Sequence, residues 1–174
     1  NAGPEVVLIS ANASVIPPQN VRLVKVETAL EMRDAVLAEY DSVDAVIMSA
    51  AVSDYRVKNV SPQKIKKDAE SFTLELIKNP DILKELGQRK TNQLLVGFAA
   101  ETQNVVEYAR AKLAEKNLDF IVANNVAQEG AGFSVDTNIV TLIHRDGTQE
   151  NLQKMSKAAL AEIIVQRVAE NLNR

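Results

Sequence analysis

Three lysines stand close together in a loop that follows an apolar run. The run "DAVIMSAAV" (44–52) gives way to a polar, Pro-containing stretch that carries Lys64, Lys66 and Lys67. A lysine ammonium is a compact charge on a flexible stem, suited to neutralising phosphate groups during their transfer. A loop in this place could close over a ligand at the end of a buried strand. The same lysines also fit a solvated surface loop.

Two further features could hold an anion. In "KNPDIL" (78–83), Asn79 is placed as a helix N-cap and Pro80 at the first helical position, so free N–H groups would point outward there. Lys112 and Lys116 are four residues apart and would present two positive charges on one helical face. The first feature also fits an ordinary capped helix start. The second also fits a surface helix whose charges only keep the protein soluble.

The elements that must position these residues alternate along the chain. The segments that predict strands are 5–10, 21–26, 44–50, 72–77, 93–100 and 118–124. The segments that predict helices are 28–41, 79–89, 101–117 and 156–172. Thr28 and Glu31 have capping-box spacing, and Asp146-Gly147 marks a hairpin turn. The pattern predicts an α/β fold: an open, mostly parallel sheet with helices on both faces and an appended antiparallel hairpin, with 1–174 as a single domain.

The sheet indicates where a ligand would bind. The segment 44–50 is too apolar for a half-exposed strand, so we expect it centrally, covered on both faces. In open α/β sheets, ligands bind beyond the carboxyl ends of the strands. Those ends are predicted at 10–13, 49–55, 97–102 and 124–127, and they are rich in small or amide side chains.

The composition of the chain argues against several classes of function. The net charge of −3 across 174 residues argues against nucleic-acid binding. The absence of cysteine and the single histidine, His144, exclude thiolate chemistry and argue against a histidine metal site or a Ser-His-Asp triad. No P-loop occurs, and "GAGFSV" (130–135) lacks the third glycine of a dinucleotide fingerprint. With no membrane-length apolar run and no signal-peptide pattern, we expect a soluble, cytoplasmic protein without membrane contact.

Seven stretches, taken in order, form a specific combination that covers essentially the whole chain. They are "AAVSDYR" (50–56), "KIKK" (64–67), "KNPDIL" (78–83), "VGFAAET" (96–102), "AKLAEKNLD" (111–119), "VANNV" (122–126) and "GFSVDTN" (132–138). The sequence resembles the bacterial phosphopantothenate–cysteine ligase family of coenzyme A biosynthesis.

That resemblance implies a fold and a reaction. The fold would be a Rossmann-like domain with a β-rich dimerisation extension, so we expect a homodimer. The reaction would use CTP, with Mg²⁺, to convert 4′-phosphopantothenate to an acyl-cytidylate and release pyrophosphate. L-cysteine would then attack the acyl-cytidylate to give phosphopantothenoylcysteine and CMP.

The resemblance also assigns roles to residues. Lys64, the first lysine of K-I-K-K, matches the catalytic lysine that forms the acyl-cytidylate. Ala50 and Ala51 match positions where the backbone meets the acyl intermediate. The positions that match nucleotide-binding residues are Asp54, Lys64, Asn79, Pro80, Asp81, Ile82, Phe98, Lys112 and Lys116, of which the last two meet the triphosphate. Metal ligands stay unassigned.

One part of the family pattern has no counterpart in this sequence. Family members open with a glycine-rich strand and turn and an "R-F-I-x-N-x-S-S-G" segment, which supply an asparagine and an arginine to the site. We therefore expect the 174 residues to lack the first strand and helix, and to be nearly inactive alone. Two rival interpretations stay open: an NAD(P)-dependent Rossmann oxidoreductase, and a non-catalytic nucleotide-binding or flavoprotein-associated module.

Overall fold

The computed structural model describes residues 5–11, 16–64, 71–128, 130 and 135–173. In this part of the chain the strands are β1 Val6–Ala11, β2 Val21–Val26, β3 Ala45–Met48, β4 Tyr55–Val57, β5 Leu76–Lys78, β6 Leu94–Glu101, β7 Phe120–Asn125, β8 Thr137–His144 and β9 Gln149–Ser156. The helices are α1 Ala29–Tyr40, α2 Ile82–Arg89, α3 Val105–Glu115 and α4 Lys157–Leu172. Within these ranges, no helix is long and apolar enough to cross a membrane.

The chain divides into two compact units. The first unit comprises 1–38 with 50–81, and the second comprises 39–49 with 82–174. Lys66 and Lys67 of the predicted lysine cluster lie outside the described residues, as do residues 132–134 of the "GFSVDTN" stretch.

The first unit holds two small sheets and most of α1. Strand β1 pairs in parallel with β2, and β4 pairs antiparallel with β5. The predicted capping box opens α1: Glu31 N donates to Thr28 Oγ1 at 3.1 Å, and Thr28 N donates back to Glu31 Oε2 at 3.2 Å. Reciprocal satisfaction of these otherwise free N–H groups fixes the start of the helix.

The second unit is built on one five-stranded sheet in the order β3-β6-β7-β8-β9. Its first three strands run parallel, whereas β8 and β9 are antiparallel additions. The predicted hairpin turn is confirmed, with Gly147 at φ 91° and Thr148 N donating to Asp146 Oδ1 at 2.9 Å. The α/β class is confirmed, and the sheet is mixed. The Rossmann-like topology and the dimerisation extension stay predictions.

Alternation along the central strands divides the core between the two faces of this sheet. On one face, the buried side chains from strands and α4 are Leu94, Val96, Phe120, Val122, Val140, Leu142, Leu160, Ile164 and Val168. Strand residues one position out of phase face the other way. There, Gly97 leaves room for Leu83 of α2 and for Leu118, whose Cδ atoms would lie within 3.0 Å of a Cβ. Helices thus cover both faces, as predicted.

The placement of β3 corrects the sequence prediction. Strand β3 pairs with β6 on one edge, and no strand in the described part of the chain pairs with the other. It is therefore an edge strand, and Ile47 is 43% exposed. An apolar run indicates that a strand is buried, but it does not indicate whether one or two neighbouring strands pair with it.

Several boundaries also differ from the sequence prediction. Strand β6 continues to Glu101, which had been assigned to the next helix, because Glu101 pairs with Asn125 and its carbonyl accepts from Val126 N at 3.0 Å. Helix α3 begins at Val105, after Asn104 in a left-handed conformation. Strand β5 is shorter than predicted, and β4 was not predicted at all. Short strands whose pairing comes from a distant segment leave little local signal.

A charged network joins the hairpin to the last helix. Arg167 of α4 donates to both carboxylate oxygens of Glu150 on β9, at 2.9 and 2.8 Å. His144 Nε2 lies 2.8 Å from the same carboxylate. The hydrogen bonds from Arg167 hold the pKa of Glu150 below its usual value, and they outweigh burial, which acts in the opposite direction.

A buried tyrosine links α1 to α2 inside the second unit. The Tyr40 hydroxyl donates to Leu86 O at 2.9 Å, and the side chain is almost fully buried. Burial raises the pKa of Tyr40, and the nearby Asp119 and Asp41 add to the rise. The phenol is therefore held as a neutral donor.

Candidate functional site

The second unit presents the carboxyl ends of two neighbouring parallel strands at one edge. Strands β6 and β7 end at Glu101 and Asn125, which are register partners. We call this the carboxyl edge, defined by Glu101, Asn124, Asn125 and the α3 residues that contact them. It corresponds to the strand ends that the sequence marked for ligand binding.

Lys112 contacts the carboxyl edge directly. Its Nζ lies 2.6 Å from Glu101 Oε1, so the predicted triphosphate-binding lysine and the last residue of β6 form an ion pair. The Glu101 side chain is 19% exposed and that of Lys112 is 42% exposed. The positive charge predicted from sequence is thus present at the strand end, with a carboxylate against it.

Lys116 lies one turn further along at the end of α3. It is the C-cap residue, and its N–H donates to Lys112 O at 3.0 Å. Its carbonyl packs closely on α2, because a Cβ added at Gly87 would stand 2.0 Å from Lys116 O. The structure therefore brings Lys112 and Lys116 together on one rigidly seated helix.

Phe98 and Asn124 lie on the other face of the same two strands. Phe98 is partly buried and packs against the apolar cluster beneath α4. Asn124 Nδ2 donates to Asn138 Oδ1 at 3.2 Å, whereas the buried Asn124 Oδ1 has no hydrogen-bond partner in the described part of the chain. A buried unpaired oxygen is unfavourable unless water or a ligand satisfies it. The sequence marked this strand end but did not single out Asn124.

In the first unit, the Asp54 and Asn79 segments are hydrogen-bonded to each other. Asn79 N donates to Asp54 O and Asn79 Nδ2 donates to Ser53 O, both at 2.8 Å. Arg56 Nη1 donates to Asn79 Oδ1 at 3.2 Å and to Lys78 O at 2.6 Å. The structure brings these two predicted nucleotide-binding segments together and leaves the Asp54 side chain exposed.

This arrangement corrects the predicted helix start. Asn79 had been expected to cap the helix with Pro80 at its first position, but α2 begins at Ile82. The Asn79 side chain is engaged by Ser53 and Arg56, so it bridges two chain segments and is not available as a cap. Asp81 is exposed, while Ile82 is 2% exposed and forms part of the core of the second unit.

The remaining predicted residues are exposed and belong to the first unit. Ala50 and Ala51 follow β3, and their small side chains leave the backbone accessible. Lys64 follows a turn in which Gln63 N donates to Ser61 Oγ at 3.3 Å. Its roles in catalysis and nucleotide binding stay predictions.

Metal-ligating side chains do not cluster in the described ranges. Across those residues no group of three or more Asp, Glu, His or Cys side chains could hold a metal ion. Magnesium usually keeps several waters and binds through one or two carboxylates and substrate phosphates.

Comparison with known proteins gives concordant matches. Residues 1–172 match the family described as DNA/pantothenate metabolism flavoprotein C-terminal domain. The chain is 50% identical over 168 residues to the coenzyme A biosynthesis bifunctional protein CoaBC of Bacillus subtilis, a match that covers 96% of this chain and 41% of that protein. It thus spans about two fifths of the length of that curated relative.

Solved structures agree with this match. The crystal structure of the CoaBC C-terminal domain has 41% sequence identity and a TM-score of 0.81, and the match covers 97% of this chain and 75% of that one. A Cab2 mutant in complex with phosphopantothenate-cysteine is 15% identical, with a TM-score of 0.63 over 89% of this chain and 54% of that one. This second likeness is one of fold alone.

Proposed function

The chain belongs to the DNA/pantothenate metabolism flavoprotein C-terminal domain family, and on that premise we propose that it ligates 4′-phosphopantothenate to L-cysteine at the expense of CTP. The observation that carries the proposal is the 50% identity to the coenzyme A biosynthesis protein CoaBC across 96% of the chain. The ion pair of Lys112 with Glu101 at the carboxyl edge supports it.

The reaction has two steps. In the first, a carboxylate oxygen of 4′-phosphopantothenate attacks the α-phosphorus of CTP, and pyrophosphate leaves with the electrons of the broken P–O bond. In the second, the amino group of cysteine attacks the acyl carbon, CMP leaves, and the nitrogen loses a proton. Both substrates of the first step are anions, so the protein must supply positive charge where they meet.

We assign that charge to lysines. Lys64 stabilises the negative charge that develops on the α-phosphate and pyrophosphate, and its exposed, flexible side chain can reach a bound ligand. Lys112 and Lys116 bind the triphosphate from α3. Ala50 and Ala51 let the backbone approach the acyl group.

The nucleotide contacts that we propose follow from the family resemblance. They are Asp54, Asn79, Pro80, Asp81, Ile82 and Phe98, and a backbone hydrogen bond joins Asn79 to Asp54. We add Asn124, whose buried Oδ1 can accept a hydrogen bond from a ligand.

Magnesium would enter with the triphosphate. Its chemistry is to neutralise phosphate charge, and exposed carboxylates such as Asp54 could complete its ligand shell. The protein groups that orient the nucleotide are the lysines and amides already named.

We also propose that the protein works as a homodimer through β4 and β5. On this ribbon and in the segment that leads into β5, Tyr55, Phe72, Leu74 and Leu76 are large, apolar and all more than half exposed. A salt bridge between Lys58 and Glu75 marks the polar side of the ribbon. Light scattering on the full-length protein should give twice the chain mass or more, and a stable monomer would contradict this assignment.

The test of the ligase is pyrophosphate release by the full-length protein with 4′-phosphopantothenate and magnesium, with CTP or ATP, and with or without cysteine. We expect release with CTP that requires phosphopantothenate and becomes catalytic when cysteine is added. Lys64→Gln should abolish release while changing CTP affinity far less, because the lost charge acts on the transferring phosphate. A protein that only binds nucleotide would show no release with either nucleotide, and that result would refute the proposal.

A further inference from the structure

The ion pair between Glu101 and Lys112 sets a problem for the proposed nucleotide site. A lysine that is to bind a triphosphate is held at 2.6 Å by a carboxylate, which neutralises its charge at short range. A carboxylate at this position would also repel a polyanion. The pair is more than a surface contact, because the glutamate side chain is only 19% exposed.

The two partners differ in their freedom to move. Glu101 is the last residue of β6, paired with Asn125, and its carbonyl accepts a hydrogen bond from Val126 N at 3.0 Å. Its carboxylate therefore stands on a fixed base. Lys112 has four rotatable side-chain bonds and is 42% exposed, so its ammonium can leave Glu101 without any change in the backbone.

Resting on the proposed function, we infer that Glu101 is the resting counter-ion of Lys112, and that triphosphate binding exchanges the carboxylate for phosphate oxygens at Lys112 Nζ. In the empty protein, Glu101 holds Lys112 against the carboxyl edge. When the nucleotide binds, the lysine turns to the phosphates and the carboxylate stays behind. Glu101 is thus a positioning residue that lowers triphosphate affinity and eases release of the pyrophosphate product.

Glu101→Gln is the discriminating variant. Glutamine has the same length and still offers an oxygen to Lys112, but it carries no charge. If Glu101 only held the fold together, nucleotide binding would stay the same or weaken. If it is the exchanged counter-ion, CTP should bind about 3- to 10-fold more tightly, since an ion pair no longer has to break and a repelling charge is gone.

The measurement is calorimetric titration of the full-length protein with CTP, CDP and CMP in the presence of magnesium. The tightening should be largest for CTP and smallest for CMP, because it depends on phosphate charge. Glu115→Gln is the matched control: Glu115 lies on α3 and pairs with Lys84 Nζ at the same 2.6 Å, so its loss changes net charge equally. We expect that control to bind CTP like the wild type.

The outcomes separate the two proposals. Unchanged or weaker CTP binding by a folded Glu101→Gln protein would overturn the counter-ion role. The proposed ligase function would not be affected by that result. Failure of the wild-type protein to bind CTP would overturn both. If Glu101→Gln does not fold, Glu101→Ala keeps the test open: it removes the carboxylate altogether, and CTP binding at or below wild-type affinity would again refute the exchange.

Discussion

Gly87→Ala tests the contact that seats α3, and with it Lys116. Gly87 lies in the last turn of α2, where the structure leaves no room for a side chain. An added Cβ would stand 2.0 Å from Lys116 O and 3.2 Å from Asn117 Cβ. The obstacle is backbone, which cannot rotate away as a flexible side chain could. In addition, Asn117 Nδ2 donates to Gly87 O at 2.9 Å, so the contact is also hydrogen-bonded.

Two opposing effects decide the sign of the change in stability. Alanine is favoured over glycine inside a helix by about 1 kcal/mol. Overpacking costs about 1–3 kcal/mol, and loss of the Asn117 hydrogen bond adds about 1 kcal/mol. We therefore expect a net destabilisation of about 1–3 kcal/mol, which for a chain of this size lowers Tm by about 3–10 °C.

Thermal unfolding followed by circular dichroism measures this directly. Gln88→Ala is the control, because Gln88 is the next residue of α2 and faces solvent, so alanine there should leave Tm unchanged or slightly higher. A Gly87→Ala protein that melts at or above the wild-type temperature would refute the packing argument. Triphosphate affinity should fall in the variant, because Lys116 shifts with the displaced end of α3.

Two further substitutions test interactions within the second unit. Tyr40→Phe removes the hydrogen bond to Leu86 O and should lower the free energy of unfolding by about 1 kcal/mol, measured by urea denaturation; no loss would mean that the bond contributes nothing net. Glu150→Gln should destabilise by about 1–2 kcal/mol at neutral pH by breaking the pair with Arg167. Because the folded-state pKa of Glu150 is lowered, its stabilisation is complete above the ordinary value of 4.5 and is lost as the pH falls through the folded value. The difference between variant and wild type should therefore shrink in acid, and a constant difference would refute the charge argument.

Local patterns predicted the elements whose stability is local. The capping box at Thr28 and Glu31 and the turn at Gly147 were both predicted from sequence, because each depends on residues within a few positions of one another. The position of β3 and the existence of β4 were not predicted, because both depend on which distant segment of the chain pairs with the strand. The sequence of one strand does not determine which other strands pair with it.

The candidate site divides in the same way. The sequence placed Lys112 on a helix that follows a buried strand, and in the structure its ammonium contacts Glu101 at the end of that strand. The sequence did not predict that Glu101 holds the Lys112 ammonium, because Glu101 had been assigned to a helix and no partner had been assigned to its side chain. Asn79 illustrates the opposite error: its sequence context fits a helix cap, but Ser53 and Arg56 engage the same side chain. The residues next to a polar side chain in sequence do not show which distant residues will compete for its hydrogen bonds.

The position of β3 has a consequence for handling the 174-residue chain. No described strand pairs with the outer edge of β3, and Ile47 of that strand is 43% exposed; Val6 and Leu8 of β1 are exposed as well. Unpaired backbone groups beside apolar side chains are a template for strands from other molecules. Concentrated samples of this chain should accordingly aggregate through strand addition, and a polypeptide that supplies a complementary strand in trans should suppress that aggregation.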